Sequence, residues 1–175
     1  MENYLKSGLF GEIRLLVLDV DGVVTDGTVY PMENGEMVRP VNSKDSYALQ
    51  LARKVGLDVA VISGGFSPGL RIRLEKLGVE RIFMSIPEKL PKLKEVCAES
   101  GYQSHQVAYM GDDIPDIPCM QFAGLSIAPA DAADDVLHAV DYVTQKPGGR
   151  GAIREAVERI LRVQKKWYVP AGLEW

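Results

Sequence analysis

The sequence predicts an α/β protein, a central parallel sheet covered by helices. Three observations carry the prediction. Short β-rich runs alternate with stretches of helical period along nearly the whole chain. The side chains best suited to chemistry stand at the ends of those runs, where open parallel sheets bind their ligands. At 175 residues the chain is long enough for one well-buried domain and short for two, so residues 1–175 are read as a single domain.

The first run, "IRLLVLDV", delivers Asp19 and, two positions on, Asp21. The one break in the alternation follows directly. "GTVYPMENGEMVRPVN" holds two strand-like pieces around Glu33-Asn34-Gly35-Glu36. Asn-Gly is the strongest short hairpin signal, which predicts a β-hairpin at about 28–41. Gly56 closes the next helix, and "LDVAVIS" forms a strand ending in Ser63. Ser67 and Pro68 read as an N-cap and a first-turn proline, and Gly78 ends that helix where a left-handed residue is wanted. "RIFMSI" is a strand with Lys89 shortly after it, and Gly101 closes the following helix. "QVAYM" leads into "GDDIPD", and "GLSIA" and "DYVT" complete the sheet. The last helix carries Ile153, Val157, Ile160 and Leu161 on one stripe, expected to face the sheet. The ending "QKKWYVPAGLEW", about 164–175, holds two tryptophans outside any periodic pattern and reads as a tail packed on the body or on another subunit.

The 46% hydrophobic and 25% charged residues are the balance of a soluble globular protein. A net charge of -4 supplies no basic field for phosphate backbones, so no nucleic-acid partner is expected. No apolar run approaches a membrane span, and "MENYLKSGLF" lacks a signal peptide's apolar centre; the expectation is a cytoplasmic protein without membrane contact. Cys97 and Cys119 have no metal-ligand spacing and read as small buried hydrophobes, while His105 and His138 each lack a second metal-type ligand nearby.

"DVDG" alone is compatible with a turn. A calcium loop fails, because the glycine comes too early, Val23 occupies a ligand position and Tyr30 stands where a bidentate glutamate is needed. Convergence favours catalysis: Asp19 and Asp21, Ser63, Lys89 and "GDDIPD" all follow predicted strands. Two carboxylates about 4 Å apart repel by roughly 4 kcal/mol at an effective dielectric of 20, and "GDDIPD" adds more negative charge. Such a cluster calls for a cation, and Mg²⁺ suits it by taking a few carboxylate oxygens while keeping sites for water and a phosphate. Beside it, Ser63 and Lys89 become a hydroxyl donor and a positive charge for a phosphoryl group.

With these residues the chain resembles the haloacid dehalogenase superfamily. Asp19-Val20-Asp21-Gly22 is similar to its first motif, Ser63 to its second, Lys89 to its third, and Gly111-Asp112-Asp113 with Asp116 to its fourth. The resemblance implies a Rossmann-like three-layer sandwich and a phosphoric monoester hydrolase. Asp19 would attack phosphorus to form an aspartyl-phosphate, and Asp21 would protonate the leaving oxygen and then activate water. Mg²⁺ would be held by Asp19, the backbone carbonyl of Asp21, and Asp112. Asp113 and Asp116 would be outer-shell groups orienting water or Lys89.

About forty residues separate Asp21 from Ser63 and roughly two dozen separate Ser63 from Lys89, so neither gap holds a cap domain. That architecture, with "DGVVTDG", "YMGDDIPD" and "GGRGAIRE", resembles the 3-deoxy-D-manno-octulosonate 8-phosphate phosphatase family. The resemblance implies hydrolysis of a phosphorylated 3-deoxy-2-keto sugar acid of lipopolysaccharide biosynthesis by a homotetramer whose neighbouring subunits complete each active site. A nonulosonate 9-phosphate phosphatase and a non-catalytic assembly domain are the alternatives.

Candidates for substrate contact are Gly64 beside Ser63, Arg73 and Lys76 on one face of the next helix, and Arg150, with the "KPGGRGAIRE" glycine amides as an anion site. Arg154 is read as anchoring its helix. Many members of the resembled family carry threonine-glycine-arginine after the second motif. Here the segment is "SGGF", Gly65 takes the arginine's place, and Lys44 is the cation considered as its replacement. Asp26 reads as a turn former at the start of the hairpin.

Overall fold

A computed structural model describes residues 8–173; the expectations for the first seven residues and for Trp175 lie outside the described residues. Strand β1 (Leu15–Leu18) runs into a tight turn, Val20–Val24. A small antiparallel hairpin follows, β2 (Tyr30–Pro31) with β3 (Met37–Val38), and then helix α1 (Ser43–Lys54). The chain continues through β4 (Asp58–Ile62), α2 (Pro68–Lys76), β5 (Arg81–Phe83), α3 (Lys89–Ser100) and β6 (Val107–Met110). It ends with α4 (Ile117–Phe122), β7 (Leu125–Ala128), α5 (Asp134–Leu137), β8 (Tyr142–Val143) and α6 (Ala152–Val163).

The main sheet is parallel throughout, in the order β5-β4-β1-β6-β7-β8. Strand order reverses at β1, which pairs with β4 on one side and β6 on the other. This reversal opens a crevice beyond the carboxyl ends of those strands. Alternate strand residues serve the two faces. Leu16, Leu18, Val59, Val61, Ala108 and Met110 pack with α1 and α6, whereas Leu15, Val17, Ala60, Ile62, Val107 and Tyr109 pack with α3 and α4. The result is a Rossmann-like α/β sandwich, with only the hairpin, α1 and β4 between Asp21 and Ser63 and only α2 and β5 between Ser63 and Lys89.

The helix boundaries have local causes. Asn42 caps α1 by accepting from the Lys44 and Asp45 amides, and Ser67 caps α2 by accepting from Leu70 N ahead of Pro68. Gly101 turns left-handed, at φ 73°, to stop α3. The stripe of α6, Ile153, Val157, Ile160 and Leu161, is fully buried on the Leu16 face of the sheet. The hairpin strands are only two residues long: Pro31 stands at a non-hydrogen-bonded position opposite Met37, whereas Pro40 has no amide with which to extend the ladder.

The tail packs on the chain's own body: Tyr47 Oη donates to the Gly172 carbonyl at 2.6 Å, and the Arg154 guanidinium lies 4.4 Å from the Trp167 ring. Cys97 and Cys119 are buried free thiols. Among the described residues no helix is long and apolar enough to cross a membrane.

Candidate active site

Asp19 leaves the end of β1, its amide bonded to the Met110 carbonyl of β6, and is almost wholly buried. Asp112 follows β6 by two residues. One carboxylate oxygen from each of Asp19, Asp112 and Asp116 lies within 4.8 Å of the others. Into this cluster Lys89, the first residue of α3, sends its ammonium, 2.8 Å from Asp19 Oδ1 and 2.7 Å from Asp116 Oδ1.

One ammonium does not balance three carboxylates. Burial, and next the charge of Asp116, push the Asp19 carboxyl up to about 6 against the pull of Lys89. Burial, with Asp19, Asp116 and Asp113 adding negative charge, pushes Asp112 up to about 7. Burial alone would lower Lys89, but Asp19 and Asp116 outweigh it and hold the ammonium above its usual range.

Asp116 is spent on scaffolding. Its Oδ1 accepts from Lys89 Nζ and from the buried Tyr109 hydroxyl at 2.8 Å, and its Oδ2 accepts from the Asp112 and Asp113 amides. Asp19 and Asp112 are therefore the carboxylates left to hold a cation, and hard oxygen donors with excess negative charge fit Mg²⁺. Asp113 is exposed, and its Oδ1 accepts from Ile114 N at 2.7 Å, so it caps its own turn.

Glycines permit the crowding. Gly22 has φ 82°, and a Cβ there would stand 1.9 Å from Asp112 Oδ2. Ser63, buried after β4, accepts from Gly65 N at 3.1 Å, which leaves its hydroxyl hydrogen available to a ligand. Gly64 beside it is exposed.

Asp21 lies in different surroundings. Its carboxylate receives both arms of a guanidinium, Arg39 Nε on Oδ1 at 2.7 Å and Arg39 Nη2 on Oδ2 at 3.1 Å. Sequence reasoning missed Arg39; the hairpin's Asn-Gly turn was the available signal, since it sends the chain back toward the aspartates. Lys44 does not take that place. It lines a separate hollow with Ser43, Tyr47, Arg154 and Trp167.

The glycine-rich loop is not an anion site, because its amides are already spent. Gly148 N donates to Asp131 Oδ1, Gly149 N to the Val23 carbonyl and Arg150 N to the Pro147 carbonyl. Gly151 N and Arg154 N donate to the buried carboxylate of Asp45 at 2.9 and 2.7 Å, so a side chain from α1 caps α6. The glycines serve close packing: a Cβ on Gly148 would stand 1.7 Å from the Gly22 carbonyl oxygen. Arg150 pairs with Asp26, 2.9 Å away, while Asp26 also accepts from Thr28 N in the expected turn. Arg73 is half-buried and Lys76 exposed on α2, and neither is brought into ion-pair or hydrogen-bond contact with the carboxylate cluster.

Residues 70–155 match the haloacid dehalogenase-like hydrolase family. The chain is 40% identical over 161 residues to the 3-deoxy-D-manno-octulosonate 8-phosphate phosphatase of Yersinia pestis, covering 92% of this chain and 86% of that one. The crystal structure of the Moraxella catarrhalis phosphatase of the same name, in complex with magnesium, phosphate and KDO, superposes with a TM-score of 0.90 at 30% identity, over 93% of this chain and 94% of that one. A cobalt-bound deoxy-D-mannose-octulosonate 8-phosphate phosphatase from Haemophilus influenzae gives a TM-score of 0.89 at 35% identity, over 94% and 98% of the two chains.

Proposed function

The chain belongs to the 3-deoxy-D-manno-octulosonate 8-phosphate phosphatase family of haloacid dehalogenase-like hydrolases, and on that premise we propose that it hydrolyses the 8-phosphate of this sugar acid with Mg²⁺. The observation that carries the reading is the pairing of a buried Asp19, in reach of Lys89 and Asp112, with a second carboxylate, Asp21, kept outside that cluster. Two carboxylates in unlike environments take unlike tasks.

Asp19 attacks phosphorus while the bond to the sugar oxygen breaks, and Asp21 gives its proton to that oxygen. Asp21 then takes a proton from the water that opens the aspartyl-phosphate, which returns both carboxylates to their starting state. Ser63 and Lys89 hold phosphoryl oxygens, with Gly64 at their side. Asp19, the Asp21 carbonyl and Asp112 would hold Mg²⁺, which when bound would offset the charge of the phosphoryl group. Asp116 orients Lys89.

The assembly we assign is a homotetramer. The hairpin offers Tyr30, Met32, Met37 and Val38 as exposed apolar side chains, a surface that asks for a partner. Arg73 and Lys76 then serve a neighbour's substrate carboxylate, and Arg150, paired with Asp26, adds a cation for the sugar acid. The buried free thiols Cys97 and Cys119 support a cytoplasmic setting. The second reading is a nonulosonate 9-phosphate; Gly65, in place of an arginine common in the family, removes a cation that could help select the sugar acid.

Phosphate release from a panel of sugar-acid phosphates tests the function. Turnover of the octulosonate ester well above generic esters, abolished in Asp19→Asn and by chelation of Mg²⁺, is expected. Full activity of that variant would sink the assignment, and sedimentation of a fully active monomer would sink the tetramer.

A further inference from the structure

Arg39 has no part in the roles above, yet its placement is unusual. It follows the returning strand of an exposed hairpin, where Met37 and Val38 are each 47% exposed, while its own side chain is only 8% exposed. The guanidinium turns inward as a fork. Nε and Nη2 take the two oxygens of Asp21, and Nη1 donates back to the Met37 carbonyl at 3.0 Å, tying the fork to the hairpin backbone. A bidentate guanidinium fixes both the distance and the plane of a carboxylate. The other side-chain contact to Asp21, from Thr25 Oγ1, is long at 3.4 Å.

Residue 65 borders the fork. A Cβ on Gly65 would stand 3.2 Å from Arg39 Nη2 and 3.4 Å from Asp21 Oδ2, so the absence of a side chain leaves the guanidinium its place between the hairpin and the Ser63 loop.

We propose that Arg39 is the positioning residue of Asp21, and that the hairpin thereby sets the efficiency of proton delivery to the leaving oxygen. The proposal rests on the phosphatase reading. When Asp21 carries its proton, the shorter Nε contact keeps its hold on Oδ1 and the longer Nη2 contact yields Oδ2 to the proton; the proton passes to the sugar oxygen as its bond to phosphorus breaks, and the bonding electrons leave with that oxygen. A carboxyl group released from the fork is free to rotate, and the protonated oxygen then meets the leaving group in a smaller fraction of encounters.

Leaving-group dependence separates this role from a purely structural one. The sugar oxygen of 3-deoxy-D-manno-octulosonate 8-phosphate leaves as an alkoxide and needs the proton, whereas the phenolate of p-nitrophenyl phosphate does not. In Arg39→Met, kcat/KM is expected to fall about 30-fold on the sugar phosphate and less than about 3-fold on the aryl phosphate, below the full contribution of a general acid. Arg39→Lys, which keeps the charge without the fork, should regain only part of the loss. Gly65→Ala, which keeps Arg39 but crowds it, should show the same substrate dependence at smaller size. Equal losses on both substrates, or no loss on either, would overturn the proposal. Wild-type protein inert toward both would instead sink the phosphatase reading, and the task of Arg39 with it.

Discussion

Gly22 and Asp112 touch where no side chain fits between them: a Cβ on Gly22 would stand 1.9 Å from Asp112 Oδ2. The turn after β1 and the loop after β6 thus meet at the crevice only because the first motif ends in glycine. The positive φ of Gly22 adds a second requirement for that residue. Gly22→Ala must displace Asp112, and displacement of a reacting group by about 1 Å can cost roughly a hundredfold. A drop of that order in kcat/KM is expected, with half-saturation by Mg²⁺ moved to higher concentration. Phosphate release measured across a magnesium titration checks both.

Asp116 supports four donors while buried, so its removal leaves Lys89, Tyr109 and two backbone amides short of an acceptor. Lys89 keeps Asp19 as its partner, but the buried Tyr109 hydroxyl and the two amides are left without an acceptor, and Asp116→Ala is expected to lose about 3 kcal/mol of stability. Urea denaturation followed by circular dichroism reads this directly.

Without metal, the raised carboxyls of Asp19 and Asp112, about 6 and about 7, give the folded protein a pH dependence of known sign. Between about pH 4 and pH 7 these groups hold protons in the folded chain that they release in the unfolded one, so their contribution to stability falls as pH rises. Magnesium reverses the effect by binding the ionised form. The chelated protein should melt at a higher temperature relative to Asp112→Asn at pH 5.5 than at pH 8, and Mg²⁺ should reverse that order. The comparison with Asp112→Asn removes Asp58, which burial would raise but Tyr102, Arg53 and Arg81 hold below its usual range.

Asp45 caps α6 from another helix. With its carboxylate replaced in Asp45→Ala, the amides of Gly151 and Arg154 lose their acceptor, and a loss of about 2 kcal/mol is expected, with Asp45→Asn retaining part. Thermal melting of the two variants checks the order. A loss no larger than that of an exposed substitution would show that water replaces the carboxylate.

The alternation of strands and helices, the hairpin at Asn34-Gly35, the caps at Ser67 and Gly101, and the chemical groups that follow β1, β4 and β6 are all written in the order of the residues. These are legible because they depend on periodicity, on turn residues and on the rule that parallel strands present their carboxyl ends to ligands. Which of those groups meet depends on the packing of the whole fold. That Asp116 is a scaffold, that Asp45 fills the amides of the glycine-rich loop, and that Arg39 reaches Asp21 all join residues from separate elements. Their encounter depends on strand order and on how each loop packs against its neighbour. Gly148 reads in the sequence as part of an anion site; in the fold its missing side chain makes room for the Gly22 carbonyl, because close approach of two backbones and cradling of an anion call for the same residue.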